Sequence, residues 1–213
     1  MKKSKYLAIV DYGMGNLRSV QKGLEKVHLQ AVVTDNITTI ENAHGVILPG
    51  VGSFIDCMRN LEKRGLVGSL YKAIASGKPF LGICLGLQVL FSESEEFGVH
   101  PGLDIFRGRV VRFSGNGRHG GSSILKVPHM GWNSITIKNH HPLLANIPDG
   151  SFFYFVHSYY VRPEDAGIVA TTTTYGIEFV SSVARDNVFA CQFHPEKSQK
   201  VGLSVLEQFG SLI

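Results

Sequence analysis

Apolar positions recur along the first half of the chain in two alternating rhythms. Tyr6–Val10 is a short apolar run ending at Asp11; Leu17, Val20, Leu24 and Val27 then follow at intervals of three and four, the spacing of one helix face. Ala31–Val33 and Gly45–Leu48 are again short runs, and helical spacing returns over 54–63 and 66–76, the latter carrying Leu66, Leu70 and Ile74. Phe80–Ile83, opened by Pro79, reads as a further buried strand. Leu87, Leu90 and Phe91 place a helix just after Gly86. Strands alternating with helices up to about residue 95 predict a parallel sheet with helices on both faces. Functional loops of such sheets gather at the carboxyl ends of the strands, where the loops after Val10, Leu48 and Ile83 fall.

After Gly98 the rhythm changes. Arg107–Phe113, Ser123–Val127, Ser134–Ile137 and Phe152–Val156 are short β-like runs separated by Gly, Asn and Pro. Gly167–Thr172, Gly176–Val183 and Asn187–Gln192 read as further strands, which makes the C-terminal half richer in antiparallel hairpins. Ser114–Gly121 is polar and glycine-rich and reads as a flexible loop. A last helix is expected over Ser198–Leu212, with Val201, Val205, Phe209 and Leu212 near one face. No internal repeat interrupts the pattern, and 213 residues fit a single domain, 1–213.

The turn between the strand Phe80–Ile83 and its helix holds Cys84 in a Gly82-Ile83-Cys84-Leu85-Gly86 frame. Small neighbours let strand and helix cross closely, and a sharp turn pushes the side chain out, the geometry of a nucleophile elbow with sulfur in place of oxygen. A helix N-terminus beneath a thiol favours the thiolate. A small buried cysteine between two glycines is the bland alternative, so a base and an oxyanion pocket have to be found. Phe193-His194-Pro195-Glu196 offers the base: an imidazole to take the thiol proton, with a carboxylate two positions on to fix its tautomer, the proline preventing a helix from starting at His194. A surface turn explains that tripeptide equally well when it is taken alone. Pro49-Gly50-Val51-Gly52 offers the pocket, where main-chain N–H groups of Val51, Gly52 and Leu85 could hold an oxyanion.

Composition narrows the classes of function. With 44% hydrophobic and 18% charged residues the chain is ordinary for a globular protein, and it has no apolar run of about 18 residues or more to span a membrane. The start Met1-Lys2-Lys3-Ser4-Lys5 is basic but is not followed by the apolar region of a signal peptide. The three widely spaced cysteines form neither a complete disulfide framework nor a metal-ligand pattern, which fits the cytoplasm and leaves no metal or organic cofactor indicated. A net charge of +4 is scattered and does not form a basic stripe, so nucleic acid is a weak candidate. Gly13-x-Gly15 after the first strand hints at phosphate, but Arg18 stands where a dinucleotide site needs its third glycine.

Taken together, Gly-Ile-Cys84-Leu-Gly, Phe-His194-Pro-Glu196 and Pro49-Gly-Val-Gly52 resemble the class I (triad) glutamine amidotransferases over nearly the whole chain. The resemblance implies a flavodoxin-like doubly wound α/β fold, with a mostly parallel sheet and antiparallel additions in the C-terminal half. It implies L-glutamine hydrolysis through a γ-glutamyl thioester on Cys84, with His194 as general base and then acid, Glu196 as its orienter, and release of ammonia to an acceptor site. It also implies that Gly52, Gln88 and Glu96 contact glutamine and that the backbone of His157-Ser158-Tyr159 holds its α-carboxylate. Three more stretches, Asp11-Tyr-Gly-Met-Gly-Asn16, Pro128-His-Met-Gly-Trp132-Asn133 and Tyr154-Phe-Val-His157-Ser-Tyr159, look like the amidotransferase subunits of imidazole glycerol phosphate synthase. The implied partner is that enzyme's (β/α)8-barrel cyclase in a 1:1 heterodimer, touched by Met14, Asn16, Tyr154 and Lys197, forming imidazole glycerol phosphate and AICAR from PRFAR. Glutaminase activity is then expected to be weak until partner and ligand reorient the Pro49–Gly52 loop. The triad alone leaves other readings open: a paralogue serving another synthase, such as one in a surface-sugar pathway, a cysteine hydrolase on the same elbow, or a flavodoxin-like scaffold with an inert thiol.

Overall fold

The computed structural model describes residues 5–114 and 125–213. The N-terminal part runs β1 (Leu7–Val10), α1 (Leu17–Lys26), β2 (Ala31–Thr34), α2 (Ile37–Asn42), β3 (Gly45–Gly50), α3 (Phe54–Lys63), α4 (Val67–Ala75), β4 (Phe80–Cys84) and α5 (Leu85–Gln88). Strands β5 (Phe91–Ser94), β6 (His100–Pro101), β7 (Phe106–Arg112), β8 (His129–Ser134), β9 (Thr136–Ile137), β10 (Phe152–His157) and β11 (Tyr159–Pro163) follow. The chain ends with β12 (Val169–Tyr175), β13 (Ile177–Arg185), β14 (Val188–Cys191) and α6 (Gln199–Ser211).

The heart of the sheet is five parallel strands in the order β2-β1-β3-β4-β14, the flavodoxin-like order with β14 as the fifth strand. From β14 the sheet continues through β13, β11, β7, β5 and β6, mostly antiparallel. Alternation along the central strands gives two cores. Ala8, Val10, Val46 and Leu48 face α2, α3 and α4, through Ile40, Phe54, Leu61 and Leu70. Leu7, Ile9, Ile47, Leu81 and Ile83 face α1 and α6, through Val20, Leu24, Val205 and Phe209. The apolar runs of β1, β3 and β4 thus become strands buried on both sides, as the interior of a parallel sheet requires, while β2 at the edge is only partly buried.

Two expectations need correction. The helix after Gly86 is one turn, Leu85–Gln88; Leu90 falls in the turn that follows and Phe91 opens β5. Leu90 and Phe91 are spaced as in a helix, but both are buried against the sheet, so tertiary burial decides what the spacing cannot. Of the β-like run Ser123–Val127, residues 125–127 are not strand; the ladder starts at His129, after Pro128, which has no N–H to give it. Ser123 itself, Gly115–Gly121 of the expected flexible loop, and the basic start through Ser4 lie outside the described residues. Strand β8 and helix α2 were not anticipated.

Candidate active site

Strand β4 delivers Cys84 into its turn at φ 56° and ψ −108°. A side chain at positive φ is unfavourable, storing on the order of 1–3 kcal/mol, and persists only where the surroundings enforce it. Here the enforcement is close packing around two glycines. A Cβ on Gly86 would strike the Leu48 carbonyl, and one on Gly82 would sit 2.8 Å from the Gly86 carbonyl oxygen. With only one turn of helix behind it, the dipole assistance expected for the thiol is small, because the macrodipole needs length to accumulate.

His194 lies just beyond β14, in a turn fastened to β10. Its N–H donates to the Tyr154 carbonyl (3.0 Å), and its own carbonyl accepts from the Ser198 hydroxyl (2.7 Å), which in turn accepts from the Tyr154 N–H (3.0 Å). Pro195–Lys197 forms a single 3-10 turn that swings Glu196 back, so Nδ1 of His194 donates to Glu196 Oε1 at 2.8 Å. Nε2, the other ring nitrogen, is buried with no hydrogen bond of ordinary geometry. Burial pulls the His194 pKa down, but the attraction of the neighbouring Cys84 sulfur, with Glu196 hydrogen-bonded behind, outweighs it and pushes it up to about 10. Burial pushes the Cys57 thiol up to about 12 and the Cys191 thiol well above the ordinary range, keeping both neutral.

One cavity of about 340 Å³ gathers most of the expected residues. Cys84 and His194 line it together with Val51, Gly52 and Leu85. Gln88, Glu96, His157, Ser158 and Tyr159 line its remaining wall. Glu196 is behind His194, outside the cavity lining. Glu96 also accepts a hydrogen bond from the Phe54 N–H (2.6 Å) and so caps the first turn of α3, which begins just past the glycine loop. The four expected partner contacts form no part of the lining. Met14 lies with its methyl over Gly52, Asn16 precedes α1 without a side-chain cap bond, and Lys197 Nζ sits 5.8 Å above the ring of Tyr154.

Several neighbours were missed at the sequence level. Pro128 and Val156 line the cavity, and the Val156 carbonyl is 3.9 Å from the sulfur. His129 hydrogen-bonds His157 (Nδ1 to Nε2, 3.0 Å), and His157 Nδ1 donates to the Tyr159 carbonyl (2.8 Å). Gln192 touches the sulfur itself. Its signal was available: a carboxamide at the end of an otherwise apolar strand run. Among the described residues no group of His, Cys, Asp and Glu is arranged to hold a metal ion.

An elbow thiol facing an imidazole backed by a carboxylate, on a doubly wound sheet, defines a class. The family model of glutamine amidotransferase class-I matches residues 8–211, and the chain belongs to that family. Its curated relatives include imidazole glycerol phosphate synthase subunit HisH of Syntrophotalea carbinolica, 57% identical over 206 residues (97% of this chain, all of the relative). HisH of Geobacter sulfurreducens is 54% identical over 206 residues, covering 97% of this chain and 98% of the relative. The chain thus stands among the HisH subunits of that synthase. Solved structures of similar fold include PurLQS from Thermotoga maritima, with a TM-score of 0.70 at 20% identity over 99% of this chain and 98% of the other.

Proposed function

We propose that this chain is the glutaminase subunit of an imidazole glycerol phosphate synthase, working as one glutamine amidotransferase domain in the cytoplasm. The carrying observation is the convergence of Cys84 and the Glu196-braced His194 on one cavity. L-Glutamine lies with its α-carboxylate against the 157–159 backbone and its side-chain amide at Cys84. Gln88 and Glu96 are acceptors for its ammonium group. The thiolate attacks the amide carbon, and the oxyanion is held by N–H groups of Leu85 and the Val51–Gly52 turn, each worth about 2.7–4 kcal/mol of barrier. His194 Nε2 gives its proton to the leaving nitrogen, ammonia departs, and the same nitrogen then takes a proton from the water that opens the thioester. Glu196 keeps the other nitrogen protonated throughout.

The ammonia goes to a cyclase partner of (β/α)8-barrel form in a 1:1 complex. Support comes from an apolar face at the cavity mouth. Strands β8 and β10 pair antiparallel, Met130 opposite Val156 and Trp132 opposite Tyr154. Met130 is 62% exposed, Trp132 46% and Phe152 58%, while Val156 of the same face lines the glutamine cavity. A contiguous exposed apolar surface marks an interaction site, and continuity with the cavity suits a partner that receives its product. The test is ammonia release from glutamine by the purified chain, with and without the cyclase and its nucleotide substrate. Strong stimulation by the pair is expected; equal turnover alone and in the complex would count against the reorientation of the Pro49–Gly52 loop, and no turnover in either against the whole reading.

A further inference from the structure

Gln192 is fully buried directly after β14, its N–H donating to the Ser181 carbonyl (2.8 Å), so its side chain is carried by the sheet. Its Nε2 donates to Cys84 Sγ at 3.6 Å and its Oε1 accepts from Gln88 Nε2 at 3.0 Å. The second Gln88 hydrogen goes to the Tyr159 carbonyl at 3.0 Å, the same oxygen that accepts from His157. A carbonyl oxygen can only accept, so it sets the sense of the whole row. Gln88 must turn its nitrogen toward Tyr159. Its other hydrogen then meets the Gln192 oxygen, and the Gln192 nitrogen is left facing the sulfur.

We propose that Gln192 is a further catalytic residue of the glutaminase: its side-chain N–H holds negative charge on the Cys84 sulfur, and its oxygen locks Gln88 with Oε1 as the acceptor facing the cavity. The inference rests on Cys84 being the nucleophile. Sulfur carries the charge twice in the cycle. It is the thiolate before attack, and it is the leaving group when water adds to the thioester carbonyl and the C–S bond breaks, the electron pair staying on sulfur and the water proton passing to His194. A buried donor already in place serves both moments without reorganisation, and hydrogen bonds to charged groups are the stronger kind. An apolar residue at 192 would also strand a buried Gln88 hydrogen.

Gln192→Met and Gln192→Glu separate this from a space-filling role. In the full chain, Cys84 alkylation by iodoacetamide is followed at neutral pH and at about pH 9.5, and glutamine turnover is measured in the complex with the cyclase. For Gln192→Met, alkylation at neutral pH is expected to slow about tenfold, with most of the loss recovered at the higher pH, while kcat falls and KM rises. Gln192→Glu keeps the acceptor for Gln88 but sets an anion against the sulfur. Its KM stays near that of the parent, and its kcat and neutral alkylation fall further. Parent-like alkylation in both variants would overturn the inference. So would a loss of the same factor at both pH values, which is what general damage to the fold produces. If Cys84 of the unsubstituted chain reacts no faster than a free cysteine, the glutaminase reading itself fails and this inference with it, a result visible before any variant is made.

Discussion

Cys84 is one of six non-glycine residues among those described that hold a positive φ, a conformation unfavourable for a side chain. The strain persists because the glycines around it permit a contact no side chain would allow, so the neighbours are as specified as the thiol itself. Gly86→Ala forces a methyl into the Leu48 carbonyl. It is expected to lower stability by on the order of 2–4 kcal/mol, read as a drop in melting temperature, and to inactivate whatever protein still folds. Cys84→Ala should instead leave the fold intact and abolish ammonia release from glutamine, while added ammonium still supports the synthase reaction in the complex. Glu196→Gln keeps the shape beside His194 but no longer favours the productive tautomer, and a fall in kcat of roughly 10²–10⁴ is expected. At this scale the residues of the proposed triad were readable, because a thiol in a glycine frame and a His-Pro-Glu turn are local patterns. Gln192 was not singled out: its signal, a carboxamide closing an apolar strand run, does not say that it points at a sulfur 108 positions away.

Strands β8 and β10 form a separate two-stranded sheet with two unlike faces. One buries His129, Phe153, Phe155 and His157; the other shows Met130, Trp132 and Phe152 to solvent. Trp132 stands edge-on to Tyr154 with ring centres 6.2 Å apart, and on the function proposed above it would anchor the partner. Trp132→Ala is expected to weaken cyclase binding by about 2 kcal/mol, roughly 30-fold, in a titration of the complex, with little change in melting temperature of the chain alone. An unchanged affinity would remove this face from the proposed interface. Sequence periodicity found β10 and missed β8, whose Pro-His-Met-Gly-Trp-Asn stretch lacks β-branched residues and reads as a turn; it becomes a strand because β10 supplies a ladder from His157↔His129 to Phe152↔Ser134. The short α5 is the converse case, a helical spacing ended by burial.

Across the whole molecule, buried histidines set opposing pH responses. Burial lowers His129 to about 4 and His157 to about 3, despite the hydrogen bond His157 gives to Tyr159. The unfolded chain therefore binds these protons more readily than the folded one below about pH 6.5. Their contribution is fully present above that value and is lost as pH falls toward 4. His194 has the reverse sign: raised to about 10, it favours the folded state most below about pH 6.5, and that support disappears as pH rises through 10. Melting temperature is accordingly expected to decline on both flanks, and His129→Gln should flatten the acid flank. An unaltered acid flank in that variant would show that other groups govern it.

The amino-acid sequence by itself determined the alternation of strands and helices in the N-terminal half, the full burial of β1, β3 and β4, and the local frames around Cys84 and His194-Pro195-Glu196, since each depends on interactions spanning only a few positions. The tertiary structure alone decided which strand lies beside which, that β14 brings His194 to the end of β4, that Pro128 and Val156 line the cavity, and that Gln192 touches the sulfur. Those are contacts between segments far apart in the chain, and the free energy that selects them comes from packing and from satisfying buried polar groups, terms that exist only once the chain has closed on itself.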